Sequence, residues 1–347
     1  MPQADDDDTF LEALAVVTES SSEAVRAPSR SPSLHFTPPP PDRFPKTHHG
    51  LPAEFMVNLH PDTVKAWRAI THPKFFVQFF DYDGKDGTNR HSGLVKKLLK
   101  SLDIIASHAG TPKTMLKASP PSAPTLLNAS PPTAFLAYGV AQHLSDIILA
   151  QQIWSVPQVT FEAFPYKCNV IHSIILCLVG FICPDETTVA NSVTMAWLQS
   201  SPKEQMADIL LAYDPNFSGE GARLQAQNAI QSMAISACSK PLDFRAPGGG
   251  PAPRWNIYVT SPTSHIFAWS KIQLLTYQMT YPSILSGTGS THKLFSCMIC
   301  HSFNHPRGLC PFLGIQGWNG PQHLEHPNDF PMRGRGRGRG RGQYGPL

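Results

Sequence analysis

The chain has 347 residues, a formal net charge of +3 and 34 prolines, many of them clustered. That length suits one or two compact domains separated by linker, and it excludes neither an enzyme nor a binding protein. Without the five arginines at positions 333, 335, 337, 339 and 341 the charge falls from +3 to −2, so the positive field sits in the C-terminal tail and the body is no basic platform.

Residues 1–50 read as a disordered, acidic and proline-rich N-terminus. They carry the run Asp5 to Asp8, serine clusters and a proline stretch ending at Pro41, with a short helix at Thr9 to Val17. An acidic start with no apolar stretch behind it is not a secretory signal. Residues 53–108 read as a helical segment. Leu94, Leu98, Leu99, Leu102, Ile104 and Ile105 form a stripe opposite Lys96, Lys97 and Lys100, the pattern of a helix packed on a core. The acidic loop Asp81 to Gly87 is not a calcium site: its glycine comes too early, and Ser92 stands where the bidentate Glu belongs. Residues 109–132 are a Pro/Ser linker.

The best globular candidate is 133–240. Thr133 to Val140 alternates as a strand, Ala141 to Ile153 has helical spacing, and Val159 to Phe164 is a second strand. Ser173 to Ile182 is apolar on both faces and reads as a central strand. The apolar run Val170 to Cys183 is broken by His172 and Ser173 and falls short of the ~20 residues that a membrane-crossing helix needs. Glu186 to Leu198 is a helix capped by Asp185, and another starts at Ser201. The order β-α-β-β-α makes this an α+β domain, ferredoxin-like and similar to RNA-recognition motifs. The strand SIILCLVGFI lacks their basic residue and most of their aromatics, so the unit is degenerate. No internal repeat is evident. Residues 241–290 form a Pro/Gly connector with an accessory segment.

Residues 291–321 hold the strongest motif. Cys297, Cys300, His305 and Cys310 have the spacing C-x2-C-x4-H-x4-C, a complete tetrahedral ligand set for one structural zinc ion. His301 competes with His305 for the nitrogen position, and His323 or His326 would close a larger loop; His305 fits the short motif best. The segment has almost no apolar core of its own, so the metal is expected to supply its folding energy, ~10–16 kcal/mol for zinc-finger peptides. Residues 322–347 are a disordered Arg-Gly tail.

The cysteine–histidine cluster resembles the CCHC zinc knuckle of Gag-like nucleocapsid proteins, including retrotransposon ORF1-like ones. The stretches CMICHSFNHPRGLCPF and GWNGP, with PLDFRAPGGGPAPRWNIY and PPTAFLAYGV, are similar to uncharacterised fungal CCHC-containing proteins. The resemblance departs at His301 and Asn304, where those knuckles carry an aromatic or small residue and a glycine. It implies base contacts from exposed rings, for which Phe303, Phe312 and Trp318 are the candidates, with Arg307 beside them. Gly317 and Gly320 would leave room for a base at Trp318. Arg333, Arg335, Arg337, Arg339 and Arg341 are candidate phosphate contacts.

Catalysis is not indicated. There is no phosphate loop, nucleophile elbow or HExxH, and Asp146, Asp185, Asp208 and Asp214 stand singly. The expectation is therefore a zinc-dependent, non-enzymatic protein that binds single-stranded RNA or DNA, with Gag-like self-association and RNA coating. The alternative is a cellular adaptor whose body binds a protein while the knuckle and tail recruit RNA or serve protein contacts. Cys168, Cys177, Cys183 and Cys238 show no paired spacing, which places the chain in the reducing cytoplasm or nucleus, away from membranes.

Overall fold

The computed structural model describes residues 36–49, 54–56, 58–85, 87–111, 115–123, 131–167, 171, 173–182, 185–245 and 249–322. The helix expected at Thr9 to Val17, His323, His326 and the Arg-Gly tail lie outside them. Two five-stranded sheets organise the fold, and every neighbouring pair of strands is antiparallel. The first contains β1 (Lys74–Phe79), β2 (Lys117–Ser119), β3 (Ala134–Tyr138), β4 (Ile153–Val156) and β5 (Val159–Pro165), in the order β2-β3-β1-β5-β4. Helix α1 (Pro61–Ala69) precedes β1, α2 (Gly87–His108) joins β1 to β2, and α3 (Gln142–Gln151) joins β3 to β4.

In the second sheet, β6 (Ile174–Val179) leads through α4 (Glu186–Trp197), α5 (Ser200–Tyr213) and α6 (Ala222–Ile235) to β7 (Cys238–Leu242) and β8 (Arg254–Tyr258). Helix α7 (Ile266–Tyr277) then leads to β9 (Thr280–Ser283) and β10 (Gly287–His292), and the order is β7-β8-β6-β10-β9. Raising each strand number of the first sheet by five produces the second. The halves share one topology, although the sequence shows no repeat, because topology is kept by burial pattern and turns rather than by residue identity.

This architecture is α+β as expected, but its sheets are divided differently from the expectation. The strands expected to share one sheet in residues 133–240 split between two: β3, β4 and β5 belong to the first and β6 to the second. β6 is the middle strand of its sheet, as its two apolar faces required. Phe75 to Phe80, expected within a helical segment, supplies most of the middle strand of the other sheet. A short apolar run fits both periods, and here both faces find partners. On one face Phe79, Phe135 and Phe161 meet edge to face, and His91 of α2 meets Phe135. On the other, Phe76 packs against Trp67 of α1 and stacks on Tyr166. Each such fully buried ring contributes ~1.5–3 kcal/mol. Among the described residues no helix is long and apolar enough to cross a membrane.

Candidate metal centre

The chain leaves β10 and turns at once into the cysteine–histidine loop. The amide of Ile299 donates to Cys297 Sγ at 3.4 Å, and His301 N donates to Cys297 O at 2.8 Å, closing the tight turn that a C-x2-C pair requires. His301 ends that turn with φ 61°, in the left-handed region. Its Nε2 lies 2.9 Å from Phe79 O, so it is engaged with β1 rather than with the sulfurs. A short 3-10 turn at Arg307–Leu309 brings Cys310 back.

Cys297, Cys300, His305 and Cys310 are all buried, and their ligand atoms lie within 4.8 Å of one another. Cys300 Sγ and His305 Nε2 are 3.4 Å apart. Donors around a tetrahedral zinc stand roughly 3.5–3.8 Å apart, given Zn–S of ~2.3 Å and Zn–N of ~2.0 Å, so the set fits one such ion. His305 Nδ1 donates to Asn304 Oδ1 at 2.6 Å, which leaves the Nε2 lone pair for the metal. Without a cation, three sulfurs this close cannot all be thiolates. Hydrogen bonds from Cys300 and Cys310 hold Cys297 far below the ordinary thiol range, while Cys300 is driven up and Cys310 is pushed up to about 12 by their contacts with Cys297. A bound divalent cation removes that repulsion.

The surroundings of the loop were not legible from its spacing. Asn304 accepts from Ser302 Oγ at 2.7 Å, its carbonyl accepts from Asn256 Nδ2 at 2.5 Å, and its amide donates to Tyr258 OH at 3.4 Å. The histidine ligand is thereby tied to β8 of the second sheet. Toward the first sheet, Cys297, Ile299, Cys300, Cys310, Phe312 and Trp318 form one buried cluster with Phe80 and Ile153. Phe312 lies edge-on to Phe80 with centroids 5.0 Å apart and packs against Trp318 at 5.3 Å. The loop thus has an apolar core after all, completed by Phe80 at the end of β1 and Ile153 of β4.

Residues 36–49, expected to be disordered, run along this assembly. Phe36 meets Trp154, Phe44 meets Trp318, and the His48 ring meets Tyr258. Thr37 Oγ1 donates to Gly317 O at 3.2 Å and accepts from Asn319 N at 3.0 Å, while His48 N donates to Ser302 Oγ at 2.8 Å and Phe303 N to His48 O at 2.7 Å. Proline-rich composition hid this role, since an extended strap needs no periodic apolar face.

The residues offered for base contact are placed as follows. Phe312 is 0% exposed and Trp318 7% exposed, so neither ring presents a face to a ligand in this arrangement. The space above Gly320 is filled by Trp318 itself: a Cβ there would lie 2.5 Å from the indole. Phe303 is half-buried, with its backbone amide donating to His48 O of the strap. Arg307 is paired with Asp81 at 2.8 Å. The five tail arginines fall outside the described residues. No known protein family, curated protein or solved structure shows significant similarity to the chain. These comparisons therefore give no support to the expected Gag-like or fungal relationship; what the structure supports is a cysteine–histidine cluster compatible with a CCHC zinc knuckle.

Proposed function

We propose that the chain is a non-enzymatic nucleic-acid-binding protein whose fold is fastened by one structural zinc ion and whose tail contacts phosphates. The closed, buried donor set of three sulfurs and one nitrogen supports this best. Four protein ligands leave no open position for water or substrate, so the metal's task is structural. Its loop lies against the strap and both sheets, and the Arg-Gly tail begins at Arg333, further along the chain than the last ligand, Cys310. Five planar cations on a flexible backbone suit a single strand of RNA or DNA. The first half, read as β-α-β-β-α-β with one added edge strand, has the element order of a ferredoxin-like unit; the second has the same strand order but three helices in place of the first one. In the first half the sheet face opposite α2 is covered by α1 and by the zinc loop, which argues against base stacking there. Free cysteines among the described residues agree with a cytoplasmic or nuclear setting.

A second reading is favoured by the burial of Phe312 and Trp318: a zinc-fastened adaptor that binds protein. One experiment separates them. Metal analysis of the full chain should return one zinc, and fluorescence anisotropy should show binding to a single-stranded oligonucleotide that deletion of 333–342 weakens for every sequence alike. One zinc with no oligonucleotide binding would overturn the nucleic-acid reading and leave a knuckle that serves protein contacts.

A further inference from the structure

The first sheet carries an open cleft of about 390 Å³, toward the small end of small-ligand sites. It is lined by Arg90, Gly93 and Lys97 of α2, by Gln158 and Val159 where β4 turns into β5, and by Asn319 and Pro321 just past the metal loop. Helical spacing puts Arg90, Gly93, Lys97 and Lys100 on one stripe. Lys96, Lys97 and Lys100 are exposed and make no ion pair among the described residues. Arg90 is held over the Tyr82 ring, 5.5 Å from its centroid, and donates to Asp81 O at 3.2 Å. The carboxylate at the cleft, Asp81, is already neutralised by Arg307 at 2.8 Å.

A cleft of mixed polar and apolar lining beside a cationic stripe offers hydrogen bonds to a base edge and charge to its phosphate. We propose that this cleft binds one nucleotide of a single strand, with Lys97 and Lys100 on the phosphate backbone. The inference rests on the nucleic-acid reading above and adds to it a site in the folded body. Duplex is disfavoured, because its bases are already stacked and cannot enter a concave site of this size.

Gly93 supplies the test. A Cβ there meets nothing within 4 Å, so a longer side chain enters the cleft without disturbing the fold. Leaving glycine also favours the helix. Zinc-loaded full-length protein, Gly93→Glu, Gly93→Gln, Lys97→Gln and the tail deletion would be compared by anisotropy on a labelled 15-nucleotide oligo(U), with melting temperature and zinc content as controls. Gly93→Glu should weaken binding about tenfold or more through like-charge repulsion, and Gly93→Gln clearly less. Lys97→Gln should flatten the log-affinity against log-salt slope by roughly 0.7, one phosphate contact. If wild type binds and the tail deletion weakens it while Gly93→Glu and Lys97→Gln change nothing, the cleft assignment is overturned and the nucleic-acid reading stands. Failure of wild type to bind would overturn both. Polyglutamate competing as well as oligo(U) would make the stripe a general polyanion surface and defeat the nucleotide assignment.

Discussion

Asn304 illustrates how a single side chain positions the metal site. It orients His305 through Nδ1 and is itself anchored by Asn256 and Tyr258. Asn304→Ala should leave one zinc bound but lower its affinity ~10–100-fold, the range for losing such an orienting group. Competition with a chromophoric chelator measures this, and an unchanged affinity would remove Asn304 from the account. Cys300→Ser should abolish the site, since one of the three thiolates is lost; retained zinc would overturn the ligand set. Trp318→Ala removes a buried ring from the cluster shared with Phe312 and Phe80, so it should destabilise the fold by ~3–5 kcal/mol. Denaturant unfolding checks the value, and a loss of oligonucleotide binding at unchanged stability would restore Trp318 to the ligand surface.

At the scale of elements, α2 carries a pH dependence. Burial pushes the imidazole of His91 below its ordinary value of 6.5. Its Nε2 lies 2.5 Å from Tyr82 OH and accepts that proton when neutral. A depressed folded-state pKa means that this contribution is present above about pH 6.5 and is lost as pH falls from there through the folded value. Melting temperatures at pH 7.5 and 5.5 should therefore fall further apart in wild type than in His91→Gln; equal differences would exclude His91. The strap at 36–49 is the other element whose role depends on contacts far along the chain. Replacing both Phe36 and Phe44 with Ala should lower the melting temperature by several degrees and speed metal loss to a chelator, because Trp154 and Trp318 lose their covers.

For the whole molecule, the metal loop lies against both sheets, through Phe80 and Ile153 on one side and Asn256 and Tyr258 on the other. Chelation should thus raise amide exchange in β4 and β8 together; a change confined to 297–310 would show an independent knuckle. If the five tail arginines neutralise phosphates, they should contribute roughly −3.5 to the log–log salt slope for single strands, on top of any contacts from the body. Deleting them should flatten the slope, and no change would move the charge contacts into the body.

The sequence alone picked out the four residues that the fold brings together to suit one metal ion. Spacing decides whether four donors can reach one ion, and that geometry is local; the same holds for the cap at Asp185, whose carboxylate takes the Thr188 amide, and for the two-sided apolar character of β6. Only the tertiary structure decided which strands share a sheet, that the two halves repeat one topology, that residues 36–49 are a strap, and that Phe312 and Trp318 face inward. Each of these depends on partners tens to hundreds of residues away. A ring has the same identity whether it covers a core or awaits a base; the surface it meets on folding decides which.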